Sequence, residues 1–228
     1  MNDLAQKLIE ELQCETVFTI PVLGGIPVSE AVVVTWIIMA VLVVVAFILT
    51  RNLKVDHISK RQAVAESIVT GLMNMVQGMV GEKGRKYVPY LTTVMLYIGV
   101  SNIIGLFGFK SPTKDLRVTV ALALMSIILI EAAGIYQKGV KRWLHGFVEP
   151  VAIVTPINIL EVVTKPLSLC MRLFGNVLGA FVIMELLKMI LPVGLPVVFS
   201  LYFDIFDGLL QAYVFVFLTS LYIDEITE

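Results

Sequence analysis

Charge is scarce in this sequence. Of 228 residues, 15% are Asp, Glu, Lys or Arg, against roughly a quarter in soluble domains. A chain with 58% hydrophobic residues and a mean hydropathy of +0.91 has more apolar surface than one soluble core can hide, which points to a polytopic membrane protein. The net charge of −1 gives no basis for binding nucleic acid. Cysteine and histidine are nearly absent, two of each. Cys14 stands near the N-terminus and Cys170 inside an apolar run, so no disulfide framework is expected. His57 and His145 stand alone beside basic residues, which leaves no set of metal ligands and no catalytic histidine pair. No G-x-x-x-x-G-K loop is present to cradle a nucleotide, and no cofactor is expected. The start, MNDLAQKLIEELQCETVFTI, lacks the basic and apolar stretches of a signal peptide. It reads as a short amphipathic segment outside the first span.

What is abundant is long apolar runs. The chain reads as a single all-α membrane domain, 1–228, with about five membrane-embedded helices and one amphipathic surface helix. An N-terminal outer segment, 1–28, precedes a first span at 31–50, with Ser29 as its expected cap. Arg51, Lys54, Lys60 and Arg61 follow, and basic residues prefer the cytoplasmic side, so the N-terminus is expected outside and the C-terminus inside. Residues 62–86 carry apolar positions at helical spacing, interrupted by Glu66, Asn74 and Gln77, as expected for a helix lying along the membrane surface; an ordinary soluble amphipathic helix is the alternative. The second and third spans fall within 88–137. The final region, 157–226, holds two long runs separated by LPVGLP, where Pro192, Gly194 and Pro196 end one helix and set up the next.

A few polar residues interrupt these runs. Glu131, Glu161, Arg172, Glu185, Lys188, Asp204 and Asp207 fall inside apolar segments, with the neutral Asn176 and Gln211. Placing an Arg, Lys or Asp at the centre of a spanning helix costs roughly 2.5–3.5 kcal/mol, so such residues face protein or water and are functional candidates. Arg172, Asn176, Gly179 and Ile183 share a helical stripe, and Gly175 and Gly179 thin that helix for a close neighbour. The bland reading of Arg172 is snorkelling from a helix entrance about 9 Å away, at about 1.5 Å per residue. Asp204, Asp207 and Gln211 are spaced i, i+3, i+7 and line one face, either as a hydrated ion path or as interfacial residues beside a packing amide. Glu185 and Lys188, three apart, either pair locally or serve a channel. Glu161 stands near the entrance of the same long run as Arg172. Glu131 has a basic residue of the following loop as its candidate partner.

The stretch PINILEVVTKPLSLCMRLFGN, Pro156 to Asn176, closely resembles the signature of subunit a of the rotary F-type ATP synthase. SNIIGLFGF from Ser101, SPTKDLRVTVALAL from Ser111 and LLQAYVFVFLTSLYI from Leu209 support the resemblance in order and spacing. It covers about residue 30 to the C-terminus. It implies a non-catalytic subunit of the membrane sector in a bacterial plasma membrane. Its two long, tilted C-terminal helices would form a hairpin against a ring of c subunits, with peripheral-stalk b subunits as further partners and H+ or Na+ as the transported ion. The family's essential arginine maps onto Arg172, its channel asparagine onto Asn176 and its last-helix glutamine onto Gln211. The sequence departs from the family at Phe181, where a Glu or His is frequent, and has Asp204 where His or Glu is frequent. Glu185 is the candidate replacement for the polar group missing at Phe181. The resemblance implies an outer half-channel lined by Asn176, Asp204, Asp207, Gln211 and Glu185, and an inner one starting near Glu161. Two other readings of the same residues are a secondary transporter using intramembrane carboxylates and a scaffold whose charges merely pair helices.

Overall fold

The computed structural model describes residues 16–20, 26–51, 53, 59–82, 84–107, 109, 111–146, 152–190 and 194–227. The expected N-terminal amphipathic stretch up to residue 15, with Cys14, lies outside them, as do His57 and Pro192. The first described element departs from expectation. Thr16–Ile20 (β1) and Ile26–Ser29 (β2) pair as an antiparallel hairpin. β-branched and aromatic residues in TVFTI, followed by a Pro- and Gly-containing connection, favour strands.

The helices follow in order: α1, Glu30–Thr50; α2, Lys60–Val80; α3, Val88–Ile103; α4, Leu116–Lys138; the short α5, Val140–Gly146; α6, Thr155–Ile190; α7, Leu195–Ser200; and α8, Gly208–Thr227. A π-helical stretch, Leu201–Asp207, joins α7 to α8. The fold is therefore that of an all-α polytopic membrane protein, and six helical segments are long and apolar enough to cross a membrane. The sixth candidate is α2, beyond the five embedded helices expected. Its polar interruptions are too few to disqualify it by composition. Its Val76 and Val80 are buried in a cluster with Leu91 of α3 and Val216 and Ile223 of α8.

The core is built around α8, which packs against α3, α4 and α2. α6 leans chiefly on α4 and touches α8 more sparingly. Its Leu169, Cys170 and Leu173 join Val94, Ile98, Leu122, Ala212 and Phe215 in one buried cluster. The rest of the apolar surface stays open, as a lipid-facing surface does: Val43 and Phe47 of α1 are 68% and 66% exposed.

Polar ties hold the outer layer. Ser29 precedes α1, yet its hydroxyl makes no capping bond. It donates instead to Asp115 Oδ2 at 2.8 Å, in a buried contact. Asp115 itself caps α4, its Oδ1 accepting the Arg117 N–H at 2.9 Å. One carboxylate thus secures the start of α4 and the entry to α1, more than a hydroxyl cap alone supplies.

Candidate functional site

A cavity of about 550 Å³ opens between α6, the turn Pro112–Lys114 and the π-helical stretch leading into α8. It brings together Glu185 from α6, Asp204 and Asp207 from the π-helical stretch, and the buried Gln211 of α8. Four of the expected channel residues thus line one space, although i, i+3, i+7 spacing placed three of them on an ideal α-helical face. Single-turn π segments recur at functional sites because they re-aim side chains.

Sequence reasoning missed part of the lining. Asn102 of α3, Ser111 and Lys114 also face the cavity. Asn102 is buried. Thr113 Oγ1 donates to its Oδ1 at 2.7 Å, and its own Nδ2 donates to the Gly208 carbonyl at 2.9 Å. The amide therefore fastens the end of the π-helical stretch to the turn before α4. A buried amide in an apolar span was the available signal. Two glycines permit the approach. A Cβ at Gly208 would stand 2.8 Å from Asn102 Cβ, and one at Gly105 would stand 3.1 Å from Asp204 Oδ1.

Glu185 and Lys188 do pair, at 2.6 Å. Both also line the cavity, so local pairing does not take Glu185 out of it. At Phe181 the ring lies under an ammonium, with Lys114 Nζ 2.9 Å from its centroid.

Arg172 and Asn176 do not join this cavity. Both are exposed, although Asn176 follows buried Leu173 by three residues on the same side of α6. A Cβ at Gly175 or Gly179 would meet nothing within 4 Å. Among the described residues, no other helix of this chain is the close neighbour expected at these glycines. The snorkelling estimate also changes. α6 runs 36 residues and continues through Pro166, with Arg172 at its midpoint. That is about 25 Å from either end at 1.5 Å per residue, well beyond a single turn of reach.

Glu161 sits toward the other end of α6, about 36 Å from Glu185 by the same rise. It lines a second cavity of about 330 Å³ with Glu131, Lys138, Arg142, Lys165 and Glu225 among others. Lys165 bridges Glu225 at 3.0 Å and reaches Glu161 at 4.0 Å. Glu131 takes a different partner from the basic residue expected: it accepts the Trp143 indole N–H at 2.9 Å. Among the described residues no group of three or more His, Cys, Asp or Glu is arranged to hold a metal ion.

A helical membrane protein with two separate polar cavities and an exposed arginine midway along its longest helix is the class this geometry defines. The family model described as ATP synthase A chain matches residues 32–224. The chain is 36% identical to ATP synthase subunit a of Moorella thermoacetica, over 88% of this chain and 92% of that one. It is 35% identical to the sodium ion specific ATP synthase subunit a of Propionigenium modestum, over 87% and 74%. It is 34% identical to ATP synthase subunit a 1 of Chlorobaculum parvum, over 90% and 91%. The chain belongs to the ATP synthase subunit a family. It is accordingly a multi-pass membrane subunit of an ion-translocating complex, with partners in the membrane sector.

Proposed function

We propose that this chain is the stator ion channel of an ATP synthase, in which Arg172 couples ion passage to rotation of a ring of c subunits. The observation that carries the reading is the position of Arg172: exposed, midway along a helix of 36 residues. No anionic partner for it occurs among the described residues. A guanidinium at mid-membrane depth is costly unless something outside the chain compensates it. A ring of carboxylates passing along the α6 face would do so, and the bare Gly175 and Gly179 leave room for a closely approaching ring helix.

The sequence of events then follows from electrostatics. A ring carboxylate in lipid must be neutral, holding a proton or a bound cation. Beside Arg172 its charged form is favoured, and it releases that ion. The fixed charge also repels free cations, which blocks a direct leak between the two sides. The cavity of Glu185, Asp204, Asp207 and Gln211 serves as outer access, and the cavity at Glu161 as inner access. Asn176, one turn from Arg172, lies between the outer cavity and the ring. The N-terminus is outside, the C-terminus and α2 at the cytoplasmic side, and b subunits brace the chain. Each charge crossing 100 mV delivers about 2.3 kcal/mol, and the offset of the two cavities along α6 converts it to rotation. The chain performs no bond chemistry itself.

Arg172→Ala in the assembled complex is expected to abolish ion-driven ATP synthesis while c-ring co-purification persists. Synthesis at a near-normal rate with the variant would remove the coupling role. The same assay separates the transporter reading, which predicts solute uptake by the isolated chain and no dependence on a ring.

A further inference from the structure

The outer cavity is not simply acidic. Two ammonium groups share it with the three carboxylates. Lys188 is bonded to Glu185 at 2.6 Å, with more than half of its side chain exposed at the rim. Lys114 enters from the opposite element, the turn before α4, and covers the Phe181 ring. Glu185, Asp204 and Asp207 would otherwise form a cluster of hard oxygen donors, together with Gln211 and Ser111. Such a cluster is what a small metal cation seeks. With two ammonium charges among them, the net charge left to attract a cation is small.

We propose that Lys114 and Lys188 form a cationic collar that makes this cavity an access path for protons and excludes metal cations. The proposal rests on the reading of the cavity as the outer access. A metal ion has to enter the collar whole, against two like charges. A proton need not, because it is handed between water, carboxylate and hydroxyl groups while each heavy atom stays in place. Charged residues lining a pore discriminate in this way by electrostatic barrier, not by diameter. The ring determines which ion it binds; the collar determines which ion arrives. The Glu185–Lys188 pair then has a purpose beyond local pairing: it holds the ammonium at the rim, where an exposed pair of this kind contributes little to stability.

The test uses the complete ATP synthase in sealed vesicles, with ATP-driven pumping followed in sodium or choline media of equal ionic strength. The wild type is expected to pump protons equally in both. Lys188→Gln, and more so Lys114→Gln with Lys188→Gln, should become sodium-inhibited. The sodium concentration that halves pumping should fall on the order of tenfold for each ammonium removed. Lys188→Arg should keep the wild-type insensitivity. Double variants as indifferent to sodium as the wild type would overturn the collar. So would ATP-driven uptake of radioactive sodium by the wild type with a protonophore present, a measurement that needs no variant to assemble. Asp204→Asn separates the two layers of inference. Unchanged pumping there removes the cavity from the ion path and the collar with it, whereas slowed pumping beside sodium-insensitive lysine variants removes the collar alone.

Discussion

Gly208 is the residue on which the geometry of the cavity around Asp204 and Asp207 turns. It closes the π-helical stretch, and its missing side chain lets Asn102 reach its carbonyl. A methyl group there would meet Asn102 Cβ at 2.8 Å, a distance that real contacts do not tolerate, and both partners are buried and backbone-bound. Gly208→Ala is therefore expected to destabilise the purified chain by about 1–3 kcal/mol, the usual cost of overpacking. It should also slow ion flow by displacing Asp204 and Asp207. Thermal unfolding in detergent checks the first effect; an unchanged midpoint would mean that α3 and α8 slide apart freely. Gly175 is the opposite case. A Cβ there would meet nothing within 4 Å among the described residues, so the effect of a side chain belongs to the largest scale.

At the scale of elements, the long apolar helices were legible in the sequence because their runs exceed what a soluble core requires. α1 is observed as Glu30–Thr50, and α6 begins at Thr155. Pro166 did not stop α6, since a helix in a packed setting can forgo one backbone hydrogen bond that proline cannot donate. The β1–β2 hairpin was not anticipated because strands of four and five residues leave a weak periodic signal beside spans of twenty residues. The π-helical stretch was equally hidden. Nothing in LYFDIFD departs from α-helical composition, and Asn102, whose amide holds the Gly208 carbonyl at its end, is 106 positions away in sequence. The convergence of Asp204, Asp207 and Gln211 could be read from spacing. Lys114 and Ser111 could not, because a loop's approach to a distant helix has no local signature. Glu131 takes the Trp143 indole N–H instead of a basic partner, since an indole N–H twelve residues on is as able a donor and gives no charge signal in the sequence.

At the scale of the whole molecule, the chain presents a face that its own fold leaves uncovered: Ser168, Met171, Arg172, Gly175 and Asn176 are all exposed. Gly175→Phe is expected to leave the thermal stability of the isolated chain within about 0.5 kcal/mol of the wild type, as for a site with no close neighbours. In the assembled complex it should abolish coupled ATP synthesis by obstructing the ring. Cross-checking unfolding of the chain against synthesis by the complex decides it; full synthesis would show that nothing docks closely along this face.

Lys165 grips Glu225 and lies 5.3 Å from the Tyr222 ring, so it pins α6 to α8 near one end, while the far ends are held apart by the space around Asp204. The two helices therefore behave as a pair of tongs. Over about 30 Å of leverage from Lys165 to Glu185, a swing of about 2° at the pin widens or narrows the jaws by about 1 Å, close to the difference between admitting and squeezing out a file of water. A torque applied to α6 at its midpoint would thus be felt first as a change in aperture at a site it never touches.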